Sequence, residues 1–275
     1  MSTTSDAPFD QASGLRELFA AMGQAETPEP QWTPDPPAPT APLPAVHALV
    51  CPSRPALSLP LAQVCNRMLR ERGLHHAWVD EIDLNEREQW PLPCAVRYDL
   101  AQSLANHVPL MAALYKQADG HSWYALSRRL FSQDVKPPAL DERLAHSGME
   151  LGLVMLSAAP AQQRPWAVYG ANVRPIVLIE THAEALDQAM DWMQVQGTVG
   201  AGLDVPRAGL VLVSEDASSA NAAQARQTLD AHWQALFGHT PDWLGDVSLA
   251  PAEALLAATA RLLPVAQRLC ERLAA

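Results

Sequence analysis

The stretch Val46–Leu84, VHALVCPSRPALSLPLAQVCNRMLRERGLHHAWVDEIDL, decides the fold. It opens on a short apolar run, Val46–Cys51, continues into a helical stretch over about 59–72, and turns at Arg72–Gly73. A second apolar run follows at His76–Val79. Runs this short suit buried strands, while the longer stretch between them suits a helix. The same alternation continues downstream. Apolar runs recur at Leu151–Ser157, Ile176–Glu180, Leu210–Ser214 and, more weakly, Trp243–Val247. Helical stretches lie over 98–116, 182–196, 218–237 and 252–274. Strands alternating with helices predict an α/β architecture, a mostly parallel sheet flanked by helices on both faces. Gln162–Arg174 reads as a loop carrying Trp166 and Tyr169, and no internal repeat is visible.

Composition bounds what such a domain can do. At 275 residues the chain is ordinary for one large α/β domain with an appendage, and 48% hydrophobic content is ample for its core. No stretch reaches the roughly 18 uncharged apolar residues of a membrane span. Met1–Asp10 is small, polar and acidic, unlike a secretory signal, so a cytoplasmic protein is expected. The formal net charge of −11, with dispersed arginines, argues against a nucleic-acid footprint. Cys51, Cys65, Cys94 and Cys270 show no metal-like spacing, and each is expected to be a buried, reduced thiol.

Upstream of the α/β pattern, residues 26–45 hold eight prolines, from Pro28 to Pro44. Proline fixes φ and supplies no N–H, so this segment is expected to be an extended, semi-rigid linker. It separates a domain at 46–275 from an N-terminal segment, 1–25. Within that segment Phe9, Ala12, Leu15, Phe19 and Met22 recur at helical spacing and predict a helix over about 9–22, stopped near Gly23. A helix this short is marginal alone. It either packs on its own domain or folds against a partner.

The order of elements after the linker resembles the MinD/ParA branch of P-loop ATPases. Val46–Leu84 is similar to that family's opening: strand, phosphate loop, helix, an RG-type turn, and a second strand ending in an acid, here Asp80. Arg174–Gln194, RPIVLIETHAEALDQAMDWMQ, is similar to the family's strand and helix after the catalytic aspartate, the helix carrying Asp187. The likeness covers roughly 46–250. At the N-terminus, DQASGLR (Asp10–Arg16) resembles the DQAxxLR element of FlhG proteins, also called FleN or YlxH, MinD-like proteins that control flagellar number and placement. The matching residues are Asp10, Gln11, Ala12, Leu15 and Arg16. The resemblance implies a helix that docks on the signal-recognition-type GTPase FlhF and stimulates its GTP hydrolysis. The side chains suit such docking, since Asp10, Gln11 and Arg16 offer polar contacts, and Leu15, Phe19 and Met22 an apolar anchor. A presented amide or guanidinium can orient water or offset phosphoryl charge in a GTPase.

The departures from the family are equally specific. A phosphate loop grips by consecutive backbone N–H groups, with glycines allowing close approach. The corresponding segment, CPSRPALSLP (Cys51–Pro60), has no glycine and no lysine. Pro52, Pro55 and Pro60 each remove one donor. Ser53 and Arg54 fill the start of the loop, with Arg54 near the place of the first lysine. Leu59 or Pro60 stands where the second lysine and its hydroxyl neighbour are expected, and Ser58 is read as a helix cap. Ser157 or Ala158 replaces the aspartate that would organise Mg²⁺, and Val213–Ser214–Glu215 replaces an adenine-reading asparagine. ATP hydrolysis is not expected, nor a catalytic or metal-binding residue, nor a cofactor, with ATP·Mg²⁺ the one candidate ligand kept open. Dimerisation, which ATP drives in this family, is then expected to be constitutive, partner-driven or absent.

Other constellations carry less. His75–His76 beside Asp80, Glu81 and Asp83 is read as solvated turn residues, because strand neighbours face opposite ways. Trp78, Trp123, Trp192 and Trp233 are read as packed. The C-terminal helix carries a stripe of Leu255, Leu262, Ala266, Leu269 and Leu273, with Leu256, Leu263 and Cys270 beside it, flanked by Arg261, Arg268 and Arg272. Glu253 and Glu271 dilute its charge and Pro264 interrupts it, so packing on the sheet is expected. Contact with the inner face of the membrane is the alternative. The leading expectation is a non-enzymatic, FlhG-like regulator of flagellar assembly that contacts an FlhF-type GTPase and other flagellar components. Two alternatives stand beside it: a working ATPase with an atypical loop, and a MinD-like scaffold for another polar or membrane machine.

Overall fold

Among the described residues, eight strands build one sheet: β1 (Ala45–Val50), β2 (His76–Asp80), β3 (Tyr115–Lys116), β4 (Ser122–Ala125), β5 (Leu153–Ala158), β6 (Val173–Glu180), β7 (Gly209–Ser214) and β8 (Asp242–Ser248). Their order across the sheet is β3-β4-β2-β5-β1-β6-β7-β8. All pairings are parallel except β3 with β4. The helices are α1 (Ser58–Glu71), α2 (Leu100–Leu104), α3 (Leu140–His146), α4 (Ala183–Val199), α5 (Ser219–Phe237) and α6 (Leu255–Leu273). This computed structural model describes residues 42–273, except 88–91, 93, 106, 117–121, 127–138, 148, 161–165, 200–201, 215–218 and 249–254. The N-terminal positions Asp10, Gln11, Ala12, Leu15, Arg16 and Phe19, and most of the Pro-rich linker, lie outside the described residues.

Period-two alternation sends each strand's side chains into two separate cores. Along β1, Ala48 and Val50 enter a layer with Trp166, Tyr169, Trp192 of α4 and Trp233 of α5. Leu49 enters the opposite layer, with Leu59 and Cys65 of α1 and Leu262 and Leu269 of α6. Both faces are therefore covered, as parallel sheets require. Each buried leucine contributes about 1.5–3 kcal/mol relative to exposure. The four tryptophans expected to be packed are all buried.

Helix α1 ends at Arg72, where Gly73 takes φ +71° and donates its N–H to the Arg70 carbonyl at 2.8 Å. A left-handed residue here reverses the chain into β2, and glycine adopts that conformation at no steric cost. At the far edge, β8 bends where its pairing with β7 shifts register between Leu210 and Val211. Gly245 sits at that bend with φ +146°, and a Cβ there would lie 3.0 Å from Val265 Cγ2 of α6.

Several expectations need correction. The helix expected over 98–116 is only α2, capped by a reciprocal Asp99–Gln102 box and ended by Ala105. Pro109 lacks an N–H and keeps Val108 out of helical geometry, so the chain continues through a turn, Leu110–Ala112, into the edge strand β3. Strands β3 and β4 and helix α3 are too short to register as periodic patterns. His76 is not solvated but buried in β2, its Nδ1 2.9 Å from the Leu74 carbonyl. Cys51, Cys65 and Cys270 are buried, whereas Cys94 is half-buried. Pro264 does not interrupt α6; it faces solvent, where water can satisfy the carbonyl that its missing N–H leaves free. In that helix Leu262, Val265, Ala266, Leu269 and Cys270 are buried, and Leu263 is exposed.

Candidate functional site

In an open parallel sheet, ligands bind beyond the C-terminal ends of strands, where the chain's path reverses across the sheet. Here the path steps outward from β1 to β2 and beyond, returns to β5, then crosses β1 to β6. The ends of β1, β2, β5 and β6 therefore define the crevice. Residues 51–60 leave β1 there, pass through a tight turn at Pro55–Leu57 and enter α1.

The loop is held by a carboxylate from the neighbouring strand. Glu180 closes β6 with its side chain almost fully buried, at 6% exposure. Ser53 Oγ donates to Glu180 Oε2 at 2.6 Å, and Arg54 Nη2 lies 3.0 Å from Glu180 Oε1. Both contacts are charge-assisted, the strong class of hydrogen bond. Cys51 Sγ lies 3.5 Å from Ser53 Oγ, and burial pushes the thiol's pKa up to about 11, so it stays protonated and inert. His182 Nδ1 accepts the Ala185 N–H at 3.2 Å, which leaves the proton on Nε2, 3.9 Å from Glu180 Oε2. The Ser53 hydroxyl thus donates to a carboxylate and not to an imidazole, which is no arrangement for a nucleophile.

The loop's backbone offers little to an anion. Pro52, Pro55 and Pro60 have no N–H, and the Leu57 N–H already donates to the Arg54 carbonyl at 3.0 Å. Ser58 is not the helix cap that its position suggested. It is the first residue of α1, its hydroxyl donates to the Pro55 carbonyl at 2.8 Å, and Leu57 occupies the cap without a side-chain bond. Leu59 and Pro60 are buried in the first turn of α1.

The rest of the crevice is also filled by the protein's own polar groups. Asp80, at the end of β2, accepts from the Ile82 N–H at 3.2 Å and from Arg87 Nη1 at 2.7 Å. Burial pushes its carboxyl pKa up, and Arg87 offsets part of that. Glu81 accepts from the Ala159 N–H at 3.0 Å and the Tyr169 hydroxyl at 3.1 Å. Ser157, one of the two residues read from the sequence as replacing a magnesium-organising aspartate, accepts the Trp78 indole N–H on its hydroxyl at 3.0 Å. Ser214 ends β7, and Glu215 lies outside the described residues. Asp187 is exposed on α4. No group of three or more His, Cys, Asp or Glu side chains among the described residues could hold a metal ion.

These residues do not fit a nucleoside triphosphate. A polyanion at the loop would meet the Glu180 carboxylate where it needs donors, and Arg54, the loop's one cation, is already paired. Sequence reasoning placed Ser53 and Arg54 in the loop, read Asp80 and Glu81 as solvated where both are buried, and missed the contacts of Glu180, Tyr169 and Arg87. The signal for Glu180 was an acid ending the apolar run IVLI; its partner lies 126 residues upstream and is not visible in any local pattern.

No family model and no curated protein sequence matches this chain. Solved structures do. The chain is similar to one in the MinC:MinD cell division protein complex of Aquifex aeolicus, with a TM-score of 0.57 at 13% identity over 82% of this chain and 95% of that one. It is similar to a plasmid partition protein from Borrelia burgdorferi bound to AMPPNP, with a TM-score of 0.60 at 8% identity over 83% and 99%. It is also similar to cobyrinic acid a,c-diamide synthase from Mycobacterium smegmatis with bound ADP and magnesium, with a TM-score of 0.58 at 13% identity over 81% and 92%. At these identities the likeness is one of fold alone.

Proposed function

We propose that this chain, built on the MinD/ParA scaffold, is a non-enzymatic regulator of flagellar number and placement, resembling FlhG, that acts through an FlhF-type GTPase. The Ser53–Glu180–Arg54 contact supports the non-enzymatic half of this reading. The phosphate loop's remaining polar groups are directed at an internal carboxylate, so the domain holds its form without nucleotide. DQASGLR supports the partner half. Residues 9–22 present Asp10, Gln11 and Arg16 beside Leu15 and Phe19, and the domain at 46–275 serves as the scaffold behind the linker.

Two measurements test the halves separately. Calorimetric titration with ATP and Mg²⁺ is expected to give no saturable heat, and sedimentation is expected not to shift on adding both; tight magnesium-dependent binding refutes the non-enzymatic half. A peptide of residues 1–25 is expected to accelerate GTP hydrolysis by an FlhF-type GTPase, with Gln11→Ala and Arg16→Ala abolishing the effect. No acceleration at saturating peptide refutes the partner half.

A further inference from the structure

The opposite, N-terminal edge of the sheet has a different electrostatic character. A cleft of about 410 Å³ opens there, and Arg174, Arg207, His239, Thr240, Asp242 and Arg272 line it. The three arginines come from separate parts of the chain: the second residue of β6, the turn Val205–Arg207 and the last turn of α6. Arg272 is fixed in place, its Nη1 paired with Asp242 and its Nη2 donating to the Arg207 carbonyl at 2.7 Å. That pairing engages the one carboxylate in the lining. Arg207 has a loose contact, 3.7 Å to Asp204 on the rim, with its side chain 73% exposed. Arg174 is exposed and pairs with no carboxylate among the described residues.

Three guanidinium groups thus face one cleft in a chain whose formal net charge is −11. The same charges reach a group inside the protein. His47, buried in β1 next to Arg174 in the β6 register, is held neutral. Its pKa is lowered to about 3, chiefly by burial and further by Arg174 and Arg272. Guanidinium forks match tetrahedral oxyanions bidentately, and Thr240 adds a hydroxyl donor. The lining offers no large apolar surface, which suits a small, highly charged ligand rather than one with a greasy body.

We propose that this cleft is an anion site that takes a phosphate group, held by Arg174 and Arg207 with Arg272 as a fixed wall. It is separate from the crevice at Cys51–Pro60 and does not depend on the function proposed above. The test is titration of the full chain with inorganic phosphate at constant ionic strength, with chloride as control. The side-chain Nε–H signals of the arginines are followed by NMR. Saturable shifts at Arg174 and Arg207 at millimolar phosphate are expected, with affinity about tenfold weaker in Arg174→Gln and in Arg207→Gln. Both residues are exposed, so unchanged thermal melting checks that the variants are folded. Shifts that never saturate, or that survive both substitutions, overturn the proposal. Loss of binding in Arg54→Gln instead would assign the phosphate to the loop and overturn it as well.

Discussion

Glu180→Gln isolates the charge that closes the loop while keeping the side chain's shape. Two contacts change together: the 2.6 Å bond from Ser53 and the 3.0 Å ion pair with Arg54. A hydrogen bond to a charged group contributes about 1.5–3 kcal/mol. The ion-pair share must be discounted, because the Arg54 side chain is 31% exposed and can turn towards water. The Ser53 contact is less able to re-solvate, since its acceptor is 6% exposed. A net loss of about 2 kcal/mol follows, and in a domain of this size 1 kcal/mol lowers Tm by about 2–4 °C. Thermal melting of wild type and variant, followed by circular dichroism, is expected to differ by about 4–8 °C. A second readout separates a closed anion site from simple loss of packing. Glu180→Ala leaves Ser53 and Arg54 facing an opened crevice, so phosphate should stabilise this variant more than wild type. A Glu180→Gln variant that melts with wild type, or a Glu180→Ala variant with no extra phosphate response, refutes the reasoning.

Acid should weaken the fold through His47. Burial keeps the ring neutral in the folded state down to about pH 3, while the unfolded chain protonates below about 6.5. Stability from this group is therefore complete above pH 6.5 and is lost as pH falls towards 3, by up to about 1.4 kcal/mol per pH unit. Urea unfolding at pH 7 and pH 5 should show a shallower loss in His47→Gln. Leu269→Ala removes a fully buried side chain between α6 and α1 and should cost about 2–5 kcal/mol by urea unfolding; a neutral result would mean that α6 does not pack there in solution. Because that apolar face is turned inward, vesicles of anionic lipid are expected not to sediment the wild-type chain, and co-sedimentation would support the membrane alternative. Ser157→Asp should destabilise without conferring ATP hydrolysis in a phosphate-release assay, since it buries a carboxylate beside the Trp78 ring.

What could be read in advance was whatever repeats along the chain. The apolar runs of β1, β5, β6 and β7 are long enough to announce buried strands, and the stretch around Arg72–Gly73 announces its own turn. The loss of glycine, lysine and N–H donors in Cys51–Pro60 is a local property and was equally legible. What holds the loop from the other side of the crevice is not local. Glu180 meets Arg54 only because β6 crosses to the far side of β1, a topological fact that no window of sequence contains. The same holds for Glu81, whose partners Ala159 and Tyr169 arrive from the end of β5 and the turn beyond it. The helix expected over 98–116 failed for the opposite reason: composition favoured it, but Pro109 and the capping box at Asp99 confined it to five residues.

The last strand of the sheet bears on how this protein behaves when crowded. β8 is a border strand, and a straight border of seven residues would be a template for annealing with another copy. Its bend at Gly245 breaks the regular spacing of free backbone groups, and Asp242 and Asp246, both more than half exposed, put ion pairs with Arg272 and Arg226 on the rim. An approaching strand would find neither a continuous ladder nor an apolar surface. The chain is thereby expected to stay dispersed at high concentration, and straightening that border with Gly245→Val and Asp246→Val should turn a clear solution cloudy.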